Sequence, residues 1–381
     1  MSTSFLFLIG GVIALSAALT KLLMSARTKG IDVPKAHSIH AVPTPRLGGI
    51  AVLLSMFAGV IASGWLIRGE IDELVAIALA CAAILFSCFV VEDVVGVSWK
   101  KRLLAQIAAA CAFLGVSEIW LSIGGSIPLV LLPPLLILLA VGMVWSMNLY
   151  NFMDGIDGLA AGMTISGFAM MGVLAFQTGN EWVGVTAFAV VGGAAGFLAF
   201  NFPPARIFLG DAGSVPLGFL GCALGLILIT RRAISPIVPL VLFAPFVIDA
   251  TMTLLGRAFR GLAFWEPHRQ HWYQRGILAG WSHRHALAVY YPLMLLSAAA
   301  AFAMQYAGVV LQLAIASVVL AAHAVVPALV NRLEGKAASA RSANRTTLSE
   351  QGRRDRSDDD GYSRPHRNEP LSGPIASKNV T

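Results

Sequence analysis

Charge is scarce in this chain. Of its 381 residues only 12% are Asp, Glu, Lys or Arg, whereas 57% are hydrophobic and the mean hydropathy is +0.75. A water-soluble domain cannot hide that much apolar surface behind so few charges, so the composition excludes ordinary soluble folds and indicates a polytopic membrane protein. Cysteine is scarce as well. Cys81, Cys88, Cys111 and Cys222 all lie inside apolar segments without metal-type spacing, which excludes a zinc module and reads as small packing side chains. The net charge of +7 does not argue for a nucleic-acid partner, because much of the basic excess falls in residues 331–381 and in short loops, as membrane topology requires. No internal repeat or inverted symmetry is visible.

What is abundant is apolar runs of spanning length. Eleven candidate transmembrane helices read as 5–24, 47–67, 72–91, 103–123, 126–147, 158–178, 182–200, 212–230, 236–256, 286–305 and 308–330. Each has roughly the 20 residues that a bilayer crossing needs. The fold class is therefore all-α and polytopic. The first run has no basic stretch before it and no small-residue cleavage site after it, so it is expected to be a retained helix. Arg27, Lys29, Lys35, Arg46, Lys100, Lys101, Arg102, Arg206, Arg257, Arg260, Arg269, Arg275 and Arg284 fall in one set of connections, and only Arg68, Arg231 and Arg232 in the other. The positive-inside rule then puts the N-terminus in the periplasm and the end of the chain in the cytoplasm. Two parts are expected: a membrane domain, 1–330, and a tail, 331–381, rich in Arg, Ser, Asp and Asn and too poor in apolar residues to fold.

This orientation gathers the unusual polar residues at one membrane level. Glu92 and Asp93 close the third run, Asn148, Asn151, Asp154 and Asp157 follow the fifth, Asp211 follows the seventh, and His268 to His285 follow the ninth. Helix caps would account for one or two such acids but not for four clusters on one face. An ionised side chain at hydrocarbon depth costs about 2.5–3.5 kcal/mol on insertion scales, so these groups need a polar cavity, a partner or a metal. Phosphoryl transfer at the inner headgroup level has use for such a collection. Mg²⁺ takes oxygen ligands from one or two carboxylates, water and substrate phosphates, and Asp93, Asp154, Asp157 and Asp211 are suitable donors. Lys100, Arg102, Arg206, Arg269 and Arg275 are available to neutralise phosphate oxygens.

Five segments carry a resemblance: Asp32-x-Pro34 with Ser38-x-His40-x-x-Pro43-Thr44-Pro45-Arg46-x-Gly48-Gly49; Asp93 followed by Lys100, Arg102 and Gln106; Asn148-x-x-Asn151-Phe152-Met153-Asp154-Gly155-Ile156-Asp157-Gly158; Asn201-x-Pro203-Pro204-Ala205-Arg206-Ile207-Phe208-x-Gly210-Asp211; and His268-Arg269-x-His271-x-Tyr273-Gln274-Arg275. In this order they resemble the polyprenyl-phosphate N-acetylhexosamine-1-phosphate transferases of glycosyltransferase family 4, which initiate O-antigen and related envelope polysaccharides and are akin to phospho-N-acetylmuramoyl-pentapeptide transferase. The resemblance covers residues 30–290. It implies attack by undecaprenyl phosphate on the β-phosphorus of a UDP-N-acetylhexosamine with release of UMP, at the cytoplasmic face of the bacterial inner membrane. It also implies Mg²⁺, with Mn²⁺ as an alternative, membrane lipids as surroundings, and leaves a homodimer open.

By the same resemblance, Glu92, Asp93, Asp154 and Asp157 are candidate catalytic residues and Asp211 with Asp154 the candidate metal ligands. His40, Arg46, Lys100, Arg102, Asn148, Asn151, Arg206, Asp249, His268, Arg269 and His271 are candidate substrate-binding residues, with Asp249 also able to pair with Arg257. One departure stands out. The family usually has two adjacent aspartates where this chain has Glu92-Asp93, and the extra methylene moves a carboxylate by about 1.5 Å, enough to matter for a positioned base. The sequence leaves the identity of the sugar open, and leaves direct attack and a phospho-enzyme intermediate undecided.

A transporter or lipid flippase would keep its acids near the bilayer midplane on broken helices; here most mark the ends of runs, with Asp249 a partial exception. An isoprenoid prenyltransferase would need repeated Asp-x-x-x-Asp patterns, and Asp154-x-x-Asp157 is the nearest match. The Glu92 change keeps an inactive relative in view. His323, alone in the last run, reads as a helix-packing histidine, and Gly192, Gly193 and Gly196 as close helix packing.

Overall fold

With no water at hydrocarbon depth to satisfy backbone N–H and C=O groups, apolar runs of this length must be helical. The computed structural model describes residues 3–25, 31–32, 44–67, 70–117, 119, 128–263 and 268–339. Its helices are α1 (Thr3–Ser25), α2 (Gly48–Ile67), α3 (Glu73–Val95), α4 (Trp99–Val116), α5 (Leu132–Met153), α6 (Leu159–Gln177), α7 (Glu181–Asn201), α8 (Asp211–Thr230), α9 (Ile237–Leu242), α10 (Ala244–Phe259), α11 (Trp272–Leu278), α12 (His283–Met304) and α13 (Val309–His323). A minimal antiparallel bridge, β1 (Ile31–Asp32) with β2 (Thr44–Pro45), pairs Ile31 with Pro45 and Asp32 with Thr44.

Among the described residues, nine helices are long and apolar enough to cross a membrane. The all-α polytopic expectation holds. Two of the eleven expected spans have a different form. α4 opens on Trp99-Lys100-Lys101-Arg102, so cations occupy its first turn, and the far part of the expected span, at 118 and 120–123, lies outside the described residues. The expected helix 236–256 is broken into α9 and α10 at Phe243, because Pro245 has no N–H to continue the ladder. The fifth span also runs further than the apolar pattern. α5 continues through Met153, which makes Asn148 and Asn151 helical and, three residues apart, sets them on one face.

α8 is the central element, with every residue buried except Cys222, Ile229 and Thr230. It packs against α3 and α5, while α7 packs against α1, α2 and α6. The glycines of α7 serve close packing as expected: a Cβ on Gly196 would lie 2.4 Å from the Ile13 carbonyl oxygen and one on Gly193 2.7 Å from that of Val52. The 20 residues of α8 carry the chain about 30 Å, one hydrocarbon thickness. Asp211 therefore stands at one end of the bundle and Arg231 at the other. At the Arg231 end, its guanidinium binds Asp72 at 2.5 Å and Asn180 Oδ1 at 3.1 Å, tying three loops together.

The chain divides into two units, Met1–Asn331 and Arg332–Thr381. Contrary to the reading of a tail unfolded from 331, residues 331–339 are helical; Leu333, Glu334, Lys336, Ala337 and Ala338 are all good helix formers. The remainder of that expected tail lies outside the described residues. The four cysteines are free thiols; Cys81 is buried and Cys222 half-buried as expected of packing residues, whereas Cys88 and Cys111 lie exposed on the surface of the bundle.

Candidate active site

The C-terminal ends of α3 and α5 and the N-terminal ends of α4 and α8 meet around Asp211. The backbone of Phe208 and Leu209 is stitched to the end of β2 and the start of α2: Phe208 N–H donates to Pro45 O at 2.8 Å, Gly48 N–H to Phe208 O at 2.9 Å and Gly49 N–H to Leu209 O at 2.7 Å. This brings Arg46 to Asp211, with Nη2 3.4 Å from Oδ1. Arg102 reaches the same carboxylate from α4 through Nη2, and Glu92 through Nη1 at 3.4 Å. From α5, Asn151 Nδ2 donates to Asp211 Oδ1 at 2.8 Å and to Ser214 Oγ at 3.0 Å. Two guanidinium groups and an amide thus converge on one buried acid.

Asp93 has a different task from its neighbour. Its carboxylate accepts the backbone N–H of Ala212 at 3.0 Å and of Asp211 at 3.4 Å, the orphan donors of the first turn of α8. It holds the helix that presents Asp211. The turn before that helix needs Gly210, at φ 75° and ψ 173°, a conformation essentially restricted to glycine.

Asp154 terminates α5. Burial, followed by the adjacent Asp211 and Asp93 carboxylates, pushes its carboxyl well above the usual carboxylate range, against the opposing pull of Arg46 and of the Gly210 N–H. Asn148, nearly two turns earlier, donates to Gln106 of α4 at 2.7 Å. No group of three or more His, Cys, Asp or Glu among the described residues forms a ready metal cage. The oxygen donors Asp211 and Asp154 nevertheless fit Mg²⁺, which needs only one or two carboxylates when substrate phosphates and water complete its shell.

The other predicted residues fall outside this constellation. Asp157 accepts the Ala205 N–H at 2.9 Å and lies 3.0 Å from His283 Nδ1, so it clasps the 203–206 loop and the start of α12. Arg206 lies over the Phe200 ring at 5.0 Å and Lys100 over Trp99 at 5.7 Å; neither forms an ion pair with the carboxylates among the described residues. His40 lies outside the described residues. His268, Arg269 and His271 precede α11, where His271 is buried and its ring stacks on those of Phe152 at 5.9 Å and Tyr273 at 6.0 Å. Burial, His271 and Arg257 lower His268 to about 4.

Asp249 does not pair with Arg257. It accepts the backbone N–H groups of Trp272 at 2.9 Å and Tyr273 at 3.3 Å, the hydroxyl of Thr253 at 3.3 Å and that of Tyr290. Arg257 instead turns to the carbonyl of Ala263. Sequence reasoning missed Ser214, His283 and Tyr290. Ser214 had a signal in Gly210-Asp211-Ala212-Gly213-Ser214 and His283 in the His268 to His285 cluster, whereas nothing in the pattern of α12 marks Tyr290.

The fold and this constellation define a polytopic membrane protein whose polar site joins carboxylates, amides and guanidinium groups at one end of the bundle. Residues 74–229 match the model of glycosyl transferase family 4. Over 276 residues the chain is 30% identical to a probable undecaprenyl-phosphate N-acetylglucosaminyl 1-phosphate transferase of Bacillus subtilis, covering 68% of this chain and 73% of the relative. It is 28% identical over 272 residues to the undecaprenyl-phosphate alpha-N-acetylglucosaminyl 1-phosphate transferase of Escherichia coli, covering 68% and 72%. It is 29% identical over 306 residues to the phospho-N-acetylmuramoyl-pentapeptide-transferase of Halalkalibacterium halodurans, covering 73% and 87%. The chain belongs to glycosyl transferase family 4.

Proposed function

We propose that this protein transfers N-acetylhexosamine 1-phosphate from a UDP-sugar to undecaprenyl phosphate. An oxygen of the lipid phosphate attacks the β-phosphorus, the bond from that phosphorus to the bridging oxygen breaks, and UMP leaves with the electron pair. The observation that carries this reading is the convergence of Arg46, Arg102 and Asn151 on Asp211 from three separate segments, the loop before α2, the start of α4 and the end of α5. Arg46 and Arg102 bear the charge needed to hold phosphate oxygens once a substrate enters. Asp211 and Asp154 would hold Mg²⁺ or Mn²⁺. Bound there, the ion supplies Lewis-acid stabilisation of the phosphate charge.

A phosphate monoester has a second pKa near about 6 and is mostly ionised at cytoplasmic pH, so the nucleophile needs little help from a base. Rate then comes chiefly from positioning and charge stabilisation. Arg102 holds Glu92 3.4 Å away, so we assign that carboxylate to orienting Arg102 and regard a proton-accepting role as secondary. The site opens to the cytoplasm from the inner membrane, following the Lys and Arg asymmetry. The product would initiate O-antigen or a related envelope polysaccharide. A transporter reading loses its main support, since both oxygens of Asp249 are taken by amide and hydroxyl donors.

The test is UMP release by membranes containing the protein, supplied with undecaprenyl phosphate, Mg²⁺ and a panel of UDP-N-acetylhexosamines, beside Asp211→Asn. Lipid- and metal-dependent release that is lost in the variant is expected. Release that is independent of lipid, or unchanged in the variant, would refute the reading.

A further inference from the structure

Two helices, α10 and α12, meet on the short helix α11 through one carboxylate. Asp249, 1% exposed, projects from α10 just after the break at Phe243 and takes up the first two N–H groups of α11, those of Trp272 and Tyr273. Tyr290 of α12 donates its hydroxyl to the same Oδ2 that accepts from Tyr273. On its far side, α11 is hydrogen-bonded to the end of α5 beside Asp211: fully buried Tyr273 donates to the carbonyl of Phe152 at 2.8 Å. Phe152 lies between Asn151, which holds Asp211, and Asp154. Gly155 leaves the necessary room, since a Cβ there would lie 2.0 Å from the Tyr273 hydroxyl. His271 is fixed between these attachments, its ring sandwiched by Phe152 and Tyr273 and its Nδ1 3.5 Å from Asp249 Oδ1.

We propose that Asp249 and Tyr273 are a positioning pair that sets the distance and tilt of the His268-Arg269-x-His271 segment relative to Asp211, and thereby tunes the affinity for the nucleotide sugar. Neither residue needs to touch substrate. Asp249 acts through two backbone amides, and Tyr273 through the carbonyl between Asn151 and Asp154. A buried carboxylate with this many donors over-determines the start of a seven-residue helix that could not hold its orientation alone. This inference rests on the transferase reading, because it assigns the histidine segment to the donor side of that reaction.

The pair separates from a merely structural role by which kinetic constant moves. Tyr273→Phe removes one hydroxyl and leaves the ring stack. It is expected to raise KM for the UDP-sugar about tenfold while KM for undecaprenyl phosphate stays within twofold, because a misplaced segment weakens donor binding selectively. Asp249→Asn offers an amide in place of one acceptor to the Trp272 and Tyr273 N–H groups. The same selective rise is expected, with faster hydrogen exchange at those two amides in detergent-solubilised protein. Tyr290→Phe retains the carboxylate and both amide bonds, and is expected to show a smaller rise than Asp249→Asn. Release by the unmodified protein with unchanged donor KM in both Tyr273→Phe and Asp249→Asn would overturn the positioning role. Equal rises in both KM values, or a fall in kcat alone with loss of folded protein, would also overturn it, as effects of general destabilisation. No UMP release by unmodified, folded protein with any donor would overturn the transferase reading and this inference together.

Discussion

Gly210→Ala is the substitution in which strain, capping and chemistry meet. At φ 75° and ψ 173° the residue occupies a region that side chains avoid, at a cost of about 1–3 kcal/mol. The added Cβ would lie 2.6 Å from the Arg46 carbonyl oxygen and 2.9 Å from Asp93 Oδ2, well inside the ~3.5 Å of ordinary contact. The Arg46 carbonyl cannot retreat easily, because Gly48 and Gly49 bond the backbone of Phe208 and Leu209 on either side. Asp93 can retreat, but only by loosening its bonds to the Asp211 and Ala212 amides. Losing such a cap costs about 1 kcal/mol. The two terms sum to a destabilisation of about 2–4 kcal/mol. Asp211 follows Gly210 directly, so relief of the clash moves it by a good fraction of an ångström, and ~1 Å of misplacement can cost about a hundredfold in rate. Thermal unfolding in detergent and kcat for UMP release read the two effects separately. Gly142→Ala, in the interior of α5 with nothing within 4 Å of the new methyl, should instead be neutral or stabilising by up to about 1 kcal/mol. A Gly210→Ala protein that melts with its parent and keeps its kcat would refute the reasoning.

Asp211→Asn should lower kcat far more than Glu92→Gln, as assayed by initial rates at saturating substrates; equal losses would favour a base or covalent role for Glu92. Arg102→Gln leaves Glu92 and Asp211 sharing only Arg46 and is expected to destabilise by about 1–3 kcal/mol, between exposed and buried ion-pair values. Combining it with Glu92→Gln should cost less than the sum of the two, measured by unfolding in a double-mutant cycle. At the opposite end of the bundle, Arg231→Ala breaks the bonds to Asp72 and Asn180 and should cost about 1 kcal/mol, with kcat unchanged. His268, lowered to about 4 in the folded protein from an ordinary 6.5, is neutral at physiological pH. The unfolded chain takes up the proton first, so the stability this histidine confers is complete above pH 6.5 and is lost as the pH falls from there through 4. His268→Asn should flatten that part of the thermal-stability profile. A profile that did not change would refute the assignment.

The membrane architecture was legible because it depends on composition and run length, which the bilayer imposes without regard to neighbours. The lengths of helix ends were less legible. α5 extends through polar Asn148 and Asn151 because Gln106 and Asp211, distant in sequence, satisfy those amides. The break at Phe243 was written in Pro245, yet hydropathy runs smoothly across it.

The sequence by itself determined an all-α membrane protein and the polar segments that the fold brings together around Asp211, since apolar periods and the spacing of acids, amides and glycines are local properties. Only tertiary structure divided the labour among the acids. Asp211 receives the guanidinium groups, Asp93 caps α8, Asp157 clasps a loop and Asp249 caps α11. Four aspartates look alike in a motif, and what separates them is which donors the folded backbone brings within 3.5 Å of each. That depends on contacts between residues more than twenty positions apart, as with Asp249 and Trp272, or more than a hundred, as with Asp93 and Ala212.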